Sequence, residues 1–165
     1  MITDYFIFHY HNAENDFIRV FHNKGNSSFE INEINKIMKI KINGLIHFPS
    51  KKLIDVINTL LDNDKQLSYC KTSGFVVSKI VKLDQNQVSV SDGKSISQIS
   101  YIDGDFCLND KVVVAKAGTM ISENNILEKD IFCSYKNLGI EDNDSIYIID
   151  EDIKEGTDFF FVEEE

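Results

Sequence analysis

The 165-residue chain contains no tryptophan and only one proline. Three cysteines, Cys70, Cys107 and Cys133, stand far apart in an odd number with no C-x-x-C pair. That spacing excludes zinc-ribbon and thioredoxin-type motifs and gives no disulfide framework. Idle or buried thiols in a reducing compartment are the expectation. No apolar run approaches the roughly 18 residues of a membrane span; Ile146 to Ile149, for instance, is bounded by Asp144 and Asp150. The opening Met1-Ile2-Thr3-Asp4 has neither the basic nor the apolar region of a signal peptide, so a soluble, cytoplasmic protein with no membrane association is expected. G-x-S-x-G, P-loop and H-E-x-x-H patterns are missing as well, and the expectation is a non-enzyme with no catalytic residues and no cofactor.

What is present is charge, unevenly placed. The chain carries 17 basic and 27 acidic side chains, a net charge of −10. Residues 1–67 hold 8 of each sign and are neutral. Residues 68–165 hold 9 lysines and no arginine against 19 acids, so 9 − 19 = −10 and the whole excess lies there. Such a field repels phosphate backbones at long range. Hydrophobic residues make up 42%, enough for one good core or two small ones.

The first part reads as β-rich with one helix. Asp4 to His11 and Asp16 to His22 have strand composition, and Asn23-Lys24-Gly25-Asn26 signals a turn. Lys39-Ile40-Lys41-Ile42 alternates as a strand does, ended by Asn43-Gly44. Pro49-Ser50 opens a helix in which Leu53, Ile54, Ile57, Leu60 and Leu61 recur on one face, stopped by Asp62-Asn63-Asp64. After a boundary near residues 63–73 the chain is almost wholly β in character. Phe75 to Leu83, Val88 to Ser91, Ser95 to Tyr101, Val112 to Ala115 and Ile146 to Ile149 are predicted strands, with Asp92-Gly93 the strongest hairpin signal. Short strands at this spacing indicate a sandwich or barrel. The expected organisation is a small α+β domain over residues 1–67 and an all-β domain over 68–165.

Five ordered blocks in the second part carry a resemblance. These are Gly74 to Ile80, Gln98 to Val112, Asp110 to Gly118, Ile131 to Ile140 (I-F-C-S-Y-K-N-L-G-I), and Ser145 to Asp150 with Gly156 and Phe159. They resemble the tRNA-binding-domain family found in the phenylalanyl-tRNA synthetase β-chain N-terminal region. The β-rich head in front of such a domain is similar in layout to the YtpR-type stand-alone tRNA-binding proteins of Firmicutes and mollicutes. The resemblance implies an OB-fold, a Greek-key β-barrel, that binds tRNA or structured RNA without catalysis. Several ligand-side motifs of the family are replaced. The first hairpin is cut to Asp84-Gln85-Asn86-Gln87, and the family's G-A-P-N stands as Ile102-Asp103-Gly104-Asp105. Its basic stretch is replaced by Ser122 to Leu127.

Phosphate contacts require lysine or arginine, and bases stack on aromatic rings. Lys79, Lys82 and Lys116 are the candidate phosphate contacts on one shared surface, with Tyr101 and Phe106 as candidate stacking platforms. Lys36, Lys39, Lys41, Lys51 and Lys52 form a second basic set. The alternative is a diverged barrel that has lost RNA affinity and serves a protein partner or a homodimer. His9 and His11 share a strand face and His22 can approach across a hairpin, but no cysteine or carboxylate accompanies them at ligand spacing. No metal site is therefore expected.

Overall fold

The computed structural model describes residues 2–41, 43–47, 49–62, 66–69, 73–100, 106–122 and 125–160. Among these residues it is mostly β, with one α-helix. Among the described residues no helix is long and apolar enough to cross a membrane. The chain divides into two compact units: Met1–Lys71 with Met120–Ile126, and Thr72–Thr119 with Leu127–Glu165.

The first unit is built on an antiparallel sheet of order β3-β2-β1-β4, comprising β1 (Tyr5–His11), β2 (Asp16–His22), β3 (Ser27–Asn32) and β4 (Gly44–Ile46). Alternation along β1 gives the sheet two apolar faces. Ile7 on β1, Ile18 and Val20 on β2 and Ile46 on β4 point to one face. They bury against helix α1 (Lys51–Leu60) through Leu53, Ile54 and Ile57. Each such buried side chain contributes about 1.5–3 kcal/mol relative to exposure. Ser50 caps the helix by accepting the Leu53 N–H at 3.2 Å, the role that serine before an apolar-periodic run predicts. Leu60 departs from the expected buried stripe and is exposed. It occupies the final helical position, past the turn that meets the sheet.

Phe8 and Phe21 point to the opposite face and pack with Met120. Met120 belongs to the small hairpin of β9 (Met120–Ser122) and β10 (Asn125–Ile126). Residues 39–41, expected in a strand, lie outside any element, and Ile42 is outside the described residues. Ile34–Lys36 forms a single 3-10 turn instead, with Ile34 fully buried. Ile34 is buried there without a sheet partner, whereas Ile37 is exposed and Ile40 half-buried.

The second unit contains an antiparallel sheet of order β11-β8-β5-β6-β7. Its strands are β5 (Phe75–Leu83), β6 (Gln87–Ser91), β7 (Ile96–Ser100), β8 (Lys111–Ala115) and β11 (Ile131–Phe132). β5 pairs on one side with β8 and on the other with β6. One face supplies the core: Ile80, Val88, Val90, Ile99, Val112, Val114 and Phe132. Ile146 to Ile149, expected as a strand, instead makes isolated bridges, Ile146 to Ser134 and Ile148 to Val112. Later residues return to the free side of β5. Asp158 bridges to Val76, the Val77 N–H donates to Thr157 O at 2.9 Å, and the Phe159 N–H donates to Phe75 O at 2.9 Å. The C-terminal segment thus hydrogen-bonds to both β8 and β5, and the sheet curls around its core.

Candidate nucleic-acid interface

β5 carries a bulge that decides which lysines meet. Lys79 pairs with Ser91 and Ile80 with Val90, but the next partner of Ser89 is Lys82, not Val81. A bulge places two residues opposite one and re-aims those that follow. In a regular strand, residues three apart point to opposite faces. Here Ser89 and Ser91 share a face of β6, so their partners Lys82 and Lys79 share a face of β5. Across β6 and β7 the same face continues through the pairs Ser91–Ile96, Ser89–Gln98 and Gln87–Ser100. The eight side chains Lys79, Lys82, Gln87, Ser89, Ser91, Ile96, Gln98 and Ser100 include no acid, in a unit that holds all the excess negative charge. The core residues Val88, Val90 and Ile99 point the other way.

Asp84 stands at the edge of this face, its carboxylate 3.6 Å from Lys82 Nζ, with both side chains well exposed. Solvent screening leaves such a pair worth little. Asp84, Gln85, Asn86, Gln87 and Ser100 line a concavity at the same edge.

Lys116 does not join Lys79 and Lys82. It lies past the end of β8, where its backbone N–H donates to Gly74 O at 2.9 Å. Its ammonium sits between two carboxylates, 3.5 Å from Asp130 and 3.7 Å from Asp92. Asp92 itself is fixed in the hairpin turn by the Ser95 and Lys94 N–H groups, at 2.8 and 2.9 Å. These hydrogen bonds, with the Lys116 charge, hold its carboxyl below the usual aspartate value. Lys116 is a structural cation of the turn. Phe106 packs on the core beside Phe132, ring centroids 4.9 Å apart. Tyr101 lies outside the described residues, as do Asp103 and Asp105. Lys111, opposite Lys79 on β8, donates from Nζ to Ile153 O at 2.6 Å.

In the first unit, Lys36 pairs with Glu33 at 3.1 Å, and Lys51 lies over the Tyr69 ring at 5.4 Å. The expectation that no carboxylate accompanies the histidines is overturned. Asp16 lies opposite His11 on the neighbouring strand, and its Oδ1 is 2.7 Å from His9 Nε2. The sequence reading looked for ligands along the chain, and this one comes from across the hairpin. His22 is at the other end of β2, paired with Tyr5 and beside the Phe29 ring. Among the described residues, His9, His11 and Asp16 are the set whose donor atoms stand close enough to hold a metal ion.

No protein-family model and no curated protein matches this chain.

Proposed function

We propose that this protein is a non-catalytic binder of tRNA or another structured RNA, built on an OB-fold in the second unit. The observation that carries the reading is the face of β5, β6 and β7 on which the bulge brings Lys79 and Lys82 together, with Asp84 at its edge. OB-folds bind oligonucleotides on the face of their second and third strands and on the loop between the first and second. Taking β5 as the first strand, that surface corresponds to β6 and β7 with the Asp84–Asn86 loop. The topology supports the assignment: a long, bulged first strand is flanked by β6 and β8, and a C-terminal segment returns to it. The ordered blocks resembling the tRNA-binding-domain family fall in the same unit.

Chemically, the face offers two ammonium groups for phosphate oxygens. Hydroxyl and amide groups of Ser91, Gln98 and Ser100 add hydrogen bonds to sugar, phosphate or base edges, while Ser89 is buried between the strands. The surrounding negative field lowers affinity overall, so binding is expected to be weak and salt-dependent. A protein partner is the alternative reading. It is favoured by Ile96, which is 68% exposed on this same face.

The test is fluorescence anisotropy of labelled tRNA with the full chain across a salt series. Binding that weakens with salt, and that loses about one unit of log–log slope per lysine in Lys79→Glu and Lys82→Glu, supports the reading. Absence of binding at low salt overturns it and directs the search to protein partners.

A further inference from the structure

The first unit holds a cluster unrelated to the RNA face. His9 and His11 are two residues apart on β1 and therefore project from the same side of the sheet. Asp16 begins β2 directly opposite His11. His11 Nδ1 is 3.7 Å from Asp16 Oδ1, the same oxygen that lies 2.7 Å from His9 Nε2. The three donor atoms all lie within 4.8 Å of one another. The two imidazole rings are stacked, 5.9 Å apart at 24°.

We propose that His9, His11 and Asp16 form a binding site for a divalent transition-metal ion, with Zn2+ the best match. Zinc bonds of about 2.0–2.1 Å at tetrahedral angles set neighbouring donor atoms about 3.4 Å apart. The two separations from Asp16 Oδ1 bracket that value, and side-chain rotation has to bring the two ring nitrogens, which lie within 4.8 Å of each other, to it. Two nitrogens and one carboxylate oxygen suit zinc and its first-row neighbours and disfavour magnesium and calcium, which take oxygen ligands.

The cluster is built as metal sites are built, with a fixed side and an open one. His9 is buried to 1% exposure. Asp16 is held by Asn35, whose backbone N–H donates to Oδ2 at 2.7 Å and whose side-chain amide donates to Oδ1 at 3.0 Å. Outer hydrogen bonds of this kind orient a ligating carboxylate. His11, with 58% of its side chain exposed, faces solvent and gives the ion a way in. Water completes the coordination. On binding, the ion takes the place of the hydrogen between His9 Nε2 and Asp16 Oδ1, and His9 ligates as a neutral imidazole through its bare Nε2. A His9–Asp16 hydrogen bond alone does not account for His11, whose nitrogen is beyond hydrogen-bond distance of that oxygen.

The experiment is calorimetric titration of the full chain with ZnCl2, repeated with CoCl2 while the visible spectrum is recorded. The expected result is one equivalent bound, with a cobalt spectrum of nitrogen and oxygen ligands and no thiolate charge-transfer band. His11→Ala removes an exposed side chain, so the fold is retained, and it is expected to weaken zinc binding at least about tenfold. His22→Ala, which alters an imidazole at the other end of β2, and Cys107→Ser, which alters a thiol of the second unit, are expected to leave it unchanged. No zinc binding by the full chain, or binding undiminished in His11→Ala, overturns the proposal.

Discussion

Lys79 and Lys82 share one face of β5 although three positions separate them, because the strand bulges at Val81. That single irregularity brings two cations together on the β5–β7 face. The other lysine assigned to the same surface, Lys116, is consumed by Asp92 and Asp130.

Lys116→Glu is accordingly a stability variant before it is a binding variant. It sets a third carboxylate beside two partly buried ones. The expected cost is about 1 kcal/mol or somewhat more, since like charges replace an attraction of that order. Urea denaturation of the variant and of Lys82→Glu separates the two roles: Lys82→Glu should be near neutral, because its side chain is 67% exposed. Equal stability of the two variants would contradict the structural role of Lys116.

Asp92 predicts an acid dependence. Its folded pKa is depressed below the ordinary aspartate value near 3.8, chiefly by the Ser95 and Lys94 backbone hydrogen bonds and further by Lys116, against an opposing effect of burial. A depressed carboxylate contributes stability that is present above the unfolded value and is lost as pH falls through the folded one. Asp92→Asn should therefore be less stable than the parent at neutral pH. The two stability curves should begin to approach below the unfolded aspartate pKa and converge as pH falls through the lower, folded one. Chemical denaturation at a series of pH values measures both curves, and a gap that persists undiminished in acid would refute the linkage.

Gly74 should tolerate no side chain. Its φ is +85°, and a Cβ there would collide with Thr119 Oγ1. Strained backbone of this kind costs about 1–3 kcal/mol before any clash is counted. Gly74→Ala is expected to lower the thermal midpoint by several degrees for a domain of this size. Gly118→Ala tests the backbone component alone, because φ there is +90° but, among the described residues beyond its chain neighbours, no atom lies within 4 Å of the added carbon. If Gly74→Ala costs no more than Gly118→Ala, the contact with Thr119 yields freely.

The cysteines should differ in reactivity. Burial pushes the Cys133 thiol up to about 12, so almost none is thiolate at neutral pH. Cys107 is exposed. Brief alkylation of the native protein, read by peptide mass spectrometry, should label Cys107 and spare Cys133. Labelling of Cys133 at a comparable rate would mean that the core opens readily.

The local features of the fold were legible in the residue order. Period-2 alternation and turn residues located β1, β2, β5, β6, β7 and β8. Ser50 with the Leu53, Ile54 and Ile57 spacing located the helix, because cap chemistry and helical periodicity act within a few residues. The same local signals misled where no partner was available. Among the described residues, Lys39-Ile40-Lys41 alternates but pairs with no strand, and Ile146 to Ile149 finds partners at single residues only.

The candidate sites were half legible. Composition singled out Lys79 and Lys82, and the shared strand face of His9 and His11 is visible in their spacing. Only the tertiary structure decided the rest. Whether Lys79 and Lys82 cooperate depends on a pairing shift against β6, and whether Lys116 is free depends on where Asp92 and Asp130 lie. Asp16 reaches His9 through cross-strand register, and Met120 joins Phe8 and Phe21 across about a hundred residues of chain. The sequence by itself determined the periodicities, the turns and the sign of the charge, which depend on neighbours along the chain. Register and long-range packing depend on which distant segments bury each other, and that is settled only by the energy of the whole fold.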